Sequence, residues 1–168
     1  MGRDKAFVEV DGAAMVCRVA AVLAAVDCSP VFAVGGDVEG LTAAGMTVVA
    51  DRFPGEGPLG GIVSALGASH LPTVVLATDM PWLDPTVLGL LLAYAGRGDL
   101  DVAIARSDRL EPLCALWWPS ACPTLEARFM AGERAVHRAV DGLRRVEVPV
   151  PVAAVANVNR PDELGRRA

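Results

Sequence analysis

Short apolar runs alternate along this chain with helical stretches of small and apolar residues, and the alternation predicts strand–helix–strand units. Ala13–Val26 reads as a helix, ended before Pro30. Val31–Val34 reads as a short buried strand closed by Gly35-Gly36, after which Asp37 caps a helix to about Ala44. Met46–Ala50 is a second strand ending at Asp51. The loop 52–58 then leads into a helix over Leu59–Ser69. Thr73–Ala77 is a third strand. Asp84 as cap and Pro85 at the first helical position predict a helix over Thr86–Ala95. Asp101–Ala105 and Leu113–Trp118 are further strands, the latter a candidate for antiparallel pairing. Ser120–Met130 and Glu133–Val140 read as helices divided by Gly132. Arg144–Val148 and Val152–Asn157 read as late strands and Pro161–Arg167 as a last helix.

Strands that are continuously apolar imply burial on both faces, as in a parallel sheet between helix layers. The pattern therefore predicts one three-layer α/β domain of doubly wound type over residues 1–168, with a mostly parallel sheet and no internal repeat or linker. Ligands of such sheets bind beyond the carboxyl ends of the strands. Gly35, Gly36, Asp37, Asp51, Gly57–Gly61, Thr78, Asp79, Asn157 and Asn159 all fall at those ends, and they mark the expected site.

Composition narrows the function classes. The net charge is −5, and the only basic clusters are Arg144-Arg145 and Arg166-Arg167, which excludes a nucleic-acid surface but not a bound nucleotide. The apolar run Ala13–Val26 is too short to span a bilayer and is broken by Arg18, and no signal-peptide pattern is present. Cys17, Cys28, Cys114 and Cys122 form no C-x-x-C pair and read as small buried hydrophobes of a cytoplasmic protein. His70 and His137 have no partner at a telling spacing, so a Ser-His-Asp site has no support.

Each remaining candidate has an ordinary reading beside a chemical one. Asp79 follows an apolar strand and is held by a Met-Pro turn; it suits a hard cation such as Mg2+, or a simple turn. Gly57-Pro58-Leu59-Gly60-Gly61 opens a helix, where glycines admit a ligand to the backbone; Pro58 equally suits an ordinary first turn. Asp51 can accept hydrogen bonds from a base or ribose, or serve its own turn. Lys5 can meet phosphates as a point charge, or lie on the surface. Trp117-Trp118 belong to the core or an interface.

Five segments in order carry a resemblance: Met-Gly-Arg-Asp-Lys (1–5); Asp51 with Gly57–Gly61; Thr78-Asp79-Met80-Pro81; Glu111-Pro112-Leu113-Cys114-Ala115-Leu116; and Asn157-Val158-Asn159-Arg160-Pro161-Asp162-Glu163-Leu164. Together they resemble the molybdenum cofactor guanylyltransferases, nucleotidyltransferases of Rossmann-like fold, over nearly the whole chain. The resemblance implies transfer of GMP from GTP to molybdopterin, with Mg2+ and release of pyrophosphate. Asp79 would hold the metal and Lys5 the GTP phosphates. Asp51, Gly57, Pro58, Leu59 and Gly60 would line the nucleoside. Gly35 stands where relatives can carry an Asn that touches the nucleotide, and Asn157 and Asn159 would face the pterin. Molybdoenzymes and molybdopterin-handling proteins are the implied partners.

In that family a strand and a glycine-rich phosphate loop precede the Met-Gly-x-Asp-Lys segment with which this sequence opens. The resemblance thus implies a sheet lacking its central strand, with open edges at Val31–Val34 and Thr73–Ala77, and a chain less stable and less active than one extended by strand and loop. The alternatives are a relative using CTP or another phosphorylated acceptor, and a non-catalytic binding module of the same fold.

Overall fold

A computed structural model describes residues 5–158. It is a mixed α/β structure of Rossmann-like type. A 3-10 turn, Lys5–Phe7, leads into a small antiparallel hairpin, β1 (Glu9–Val10) and β2 (Ala13–Ala14). Its turn is Asp11-Gly12, both at positive φ (50° and 80°), the backbone that Asp-Gly turns adopt readily. The hairpin takes the first two residues of the predicted Ala13–Val26 helix, so α1 spans Met15–Ala24. Then follow β3 (Phe32–Val34), α2 (Val38–Ala43), β4 (Thr47–Val49), α3 (Pro58–Ala68), β5 (Thr73–Leu76) and α4 (Pro85–Leu92). The chain continues through β6 (Val102–Arg106), β7 (Leu110–Trp117), α5 (Cys122–Met130), α6 (Val136–Ala139) and β8 (Arg145–Pro149). The predicted caps are formed: Asp37 accepts the Gly40 N–H and Asp84 the Thr86 N–H. The segment read as a strand at Val152–Asn157 is instead a 3-10 turn, Val152–Val155. Pro149 and Pro151 beside it lack the N–H groups that a ladder needs. The predicted helix Pro161–Arg167 lies outside the described residues.

The strands form two larger sheets. One is the parallel pair β3–β4; the other is four-stranded, in the order β5–β7–β6–β8. Within the second, β7 runs antiparallel to both β5 and β6, while β6 and β8 are parallel. The sheet is therefore mixed, with β7 antiparallel to both of its neighbours.

Alternation along β6 and β7 builds the two cores. Val102, Ile104, Ala115 and Trp117 point to the face covered by α3, α5 and α6. Ala103, Ala105, Cys114 and Leu116 point to the face covered by α4. Burial pushes the Cys114 thiol up to about 12, in keeping with an inert core cysteine.

Between the two sheets the backbone is open. Among the described residues no strand joins β3 to β5, and both border a cavity of about 620 Å3. Val16, Val19 and Leu23 of α1 also line it, as do Ile62 and Ala65 of α3. Helices on two sides and strand edges on the other two are the surroundings of a central strand in a three-layer fold. β5 is accordingly half-buried along its whole length, not buried as its apolar sequence predicts.

Candidate active site

Lys5 and Asp79 meet at the carboxyl end of β5. Lys5 Nζ donates to Asp79 Oδ2 at 3.0 Å, closing a span of 74 residues. The lysine side chain is 41% exposed and the carboxylate 22%, so the pair opens to solvent on the lysine side. The other carboxylate oxygen, Asp79 Oδ1, is buried without a hydrogen-bond partner. The Val158 N–H donates to the Asp79 carbonyl at 2.8 Å, which brings the segment after the last 3-10 turn beside Asp79. Asn157 is therefore a neighbour of Asp79 along this edge, and its Oδ1 is also buried and unpartnered. Asn159 lies outside the described residues.

Asp51 follows β4 and is held firmly. Its Oδ1 accepts from the Phe53 N–H and from Ser64 Oγ, both at 2.9 Å. The backbone N–H of Arg52 donates to the same Ser64 oxygen at 2.9 Å. A serine within the apolar helix α3 thus locks the Asp51 loop; its sequence signal was one hydroxyl in a run of apolar and glycine residues. Gly35 sits directly beside Asp51. A Cβ on Gly35 would stand 2.9 Å from Asp51 Cβ, and φ is +63°, so no larger residue fits without displacing the aspartate.

Gly57, at φ 90°, and Pro58 open α3 on the exposed side. Leu59 is instead fully buried in the core, leaving only its backbone to meet a ligand. Gly60 packs where a Cβ would stand 2.9 Å from Phe53 Cβ, so its lack of a side chain serves helix–loop packing. Gly35, Pro58, Gly61 and Thr78 border the inter-sheet cavity, whereas Lys5, Asp51 and Asp79 do not. The cavity therefore adjoins the strand-end site through Gly35, Pro58, Gly61 and Thr78. Glu111 turns inward to accept from Ser107 Oγ at 2.8 Å and Arg109 Nε at 3.0 Å, which ties the β6–β7 turn. Arg18 donates to the carbonyls of Pro81 (3.0 Å) and Val10 (3.1 Å). It fastens α1 to the turn after Asp79, a role that the sequence pattern did not reveal.

This arrangement pairs a half-exposed lysine with a rigid carboxylate at a strand end, beside a glycine-opened helix. It places a lysine and a carboxylate together at a strand end of an α/β sheet. Residues 1–147 match the model of the MobA-like NTP transferase domain, and the chain belongs to that family of nucleotidyltransferase enzymes. It is 34% identical to the molybdenum cofactor guanylyltransferase of Rhizobium rhizogenes over 98% of this chain and 83% of that protein. Identity is also 34% with the molybdenum cofactor guanylyltransferase of Rhodobacter capsulatus, over 99% of this chain and 87% of that protein. The crystal structure of molybdopterin-guanine dinucleotide biosynthesis protein A from Archaeoglobus fulgidus superimposes with a TM-score of 0.80 at 27% identity, covering 98% of this chain and 89% of that one. Among the described residues, no helix is long and apolar enough to cross a membrane.

Proposed function

We propose that the protein transfers GMP from GTP to the terminal phosphate of molybdopterin. In this reaction an acceptor phosphate oxygen attacks the α-phosphorus of GTP. The bond from that phosphorus to the bridging oxygen breaks, and pyrophosphate leaves. The observation that carries this reading is the Lys5–Asp79 pair at 3.0 Å with Asp79 Oδ1 buried and unpartnered. An acceptor oxygen left without a donor is the feature a hard cation completes, so the residues present fit Mg2+. When bound, Mg2+ would supply charge neutralisation at the reacting phosphates.

The chain's own groups have distinct tasks in this reading. Asp79 is the metal-holding carboxylate, kept in place by its turn and by Lys5. Lys5 offers its solvent-facing ammonium to the GTP phosphates. Asp51, fixed through one oxygen by Phe53 and Ser64, presents the carboxylate to the nucleoside. Gly35 and the backbone of Gly57, Pro58, Leu59 and Gly60 let the nucleotide approach closely. Asn157 and Asn159 are the residues assigned to the pterin acceptor. Catalysis is then alignment and charge compensation, without a covalent enzyme intermediate. The cytoplasm, where GTP is made, is the compartment this activity requires.

The edges of β3 and β5 that have no strand partner among the described residues support a second proposal. The cavity of about 620 Å3 between them has room for a further apolar strand, which main-chain hydrogen bonds to the two edges would seat. Pyrophosphate release with molybdopterin tests the function. Turnover with GTP that is lost in Asp79→Asn supports it. Turnover with CTP alone would make the enzyme a cytidylyl transferase, and none with either nucleotide in a strand-extended chain would support a binding module.

A further inference from the structure

Three buried side-chain polar atoms among the described residues have no hydrogen-bond partner: Asp79 Oδ1, Trp117 Nε1 and Asn157 Oδ1. The indole lies in the main core, far from any ligand chemistry. The other two are both oxygens, both acceptors, and lie on segments joined by the Val158 N–H to Asp79 carbonyl bond of 2.8 Å. Buried acceptors are nearly always paired, so each of these oxygens calls for a donor, a water or a cation, and their adjoining segments let one cation serve both.

We propose that the amide oxygen of Asn157 is the second protein ligand of the cation held by Asp79, a role in metal binding that rests on the nucleotidyltransferase reading. Asn157 would then belong to the metal as well as to the acceptor side. Lys5 already occupies Asp79 Oδ2, so Oδ1 is the carboxylate oxygen left for an ion. Backbone anchoring fixes Asn157 from the other side. Its neighbour Val158 is buried with Val10 and Met15, and Trp82 packs against the same cluster. No group of three or more His, Cys, Asp or Glu side chains could hold a metal among the described residues. A cage built wholly from such side chains is therefore absent from them. A sparse pair of hard oxygens matches Mg2+ or Mn2+, which keep several waters and take further oxygens from substrate phosphates.

Mn2+ binding to the full chain, followed by electron paramagnetic resonance titration, tests the assignment, with melting temperatures measured in metal-free buffer alongside. Asn157→Ala is expected to weaken Mn2+ binding about tenfold while leaving the metal-free melting temperature unchanged. Asn157→Asp, nearly the same shape with an added charge, is expected to bind Mn2+ several-fold more tightly. Should the alanine variant fail to fold, the aspartate variant decides alone. Mn2+ affinity unchanged in the folded variants would overturn the proposal. Asp79→Asn separates the two levels. Binding that depends on Asp79 but not on Asn157 removes the asparagine from the site and leaves the nucleotidyltransferase reading intact. Binding that depends on neither, or no binding at all, removes both.

Discussion

The centre of the four-stranded sheet, β6 and β7, and the β3–β4 pair are both built from apolar strands, yet only the first is filled. In the four-stranded half, Val102, Ile104 and Trp117 are fully buried between helices. Asp101 also ties three elements there, accepting from Ser120 Oγ at 2.7 Å and from the Arg144 side chain at 2.7 Å and 3.1 Å. In the other half, Phe32, Ala33 and Val34 remain half-buried beside a cavity of about 620 Å3. Apolar sequence therefore states what a strand is prepared to bury, and its neighbours decide what it does bury. The helices α1 and α3 lie on either side of the opening and bridge the two halves.

The sharpest break in this comparison is Trp117→Ala, which empties the filled core. It is expected to cost about 3–5 kcal/mol in urea unfolding. Next comes a change on the unfilled side: an apolar strand and glycine-rich loop added ahead of Met1. Each aliphatic side chain fully buried gains about 1.5–3 kcal/mol, so seating two should add about 3 kcal/mol and raise Tm by roughly 10 °C. An unchanged Tm would mean that the cavity does not accept a strand.

Asp101→Ala is expected to cost about 2 kcal/mol, because the carboxylate bonds a charged partner and a buried strand start. The Arg144 hydrogen bonds hold the Asp101 pKa down at about 2, below its ordinary 3.8. A depressed carboxylate stabilises the fold above the unfolded-state pKa. That stabilisation is lost as pH falls from about 4 to about 2. A stability curve of the Asp101→Asn variant should lack this portion of the acid transition.

Smaller effects follow at matched valines. Val102→Ala, in the filled core, should cost about 2 kcal/mol, whereas Val34→Ala, beside the cavity, should cost less than about 1 kcal/mol. Equal costs would show that the two halves are packed alike. Smallest for stability is Lys5→Ala. Its exposed ion pair is worth no more than about 1 kcal/mol, although nucleotide affinity should fall clearly.

Much of this was legible in local sequence. Asp37 and Asp84 announce their helices because capping needs only a few adjacent residues, and the strand expected over Leu113–Trp118, which runs from Leu110 to Trp117, pairs antiparallel. The β1–β2 hairpin was hidden because Ala13-Ala14 merge with the apolar start of α1, although Asp11-Gly12 carries a turn signal. At Val152–Val155 flanking prolines outweighed the apolar pattern. The site divides in the same way. Carboxylates at strand ends were visible individually. Their partners were not, because Lys5 reaches Asp79 across 74 residues and Ser64 reaches Asp51 from within a helix. Only the tertiary fold brings such pairs together; the resemblance to a family gave Lys5, Asp51 and Asp79 their expected roles but neither of these contacts.

The most direct test is calorimetry of Mg2+-GTP binding to this chain and to Asp79→Asn, with Mg2+-CTP as control. The account predicts micromolar binding of GTP, weaker binding of CTP, and loss of GTP binding in the variant. Identical heats for the wild-type chain and Asp79→Asn would contradict it, because the Lys5–Asp79 pair would then not be where the nucleotide and its metal are held.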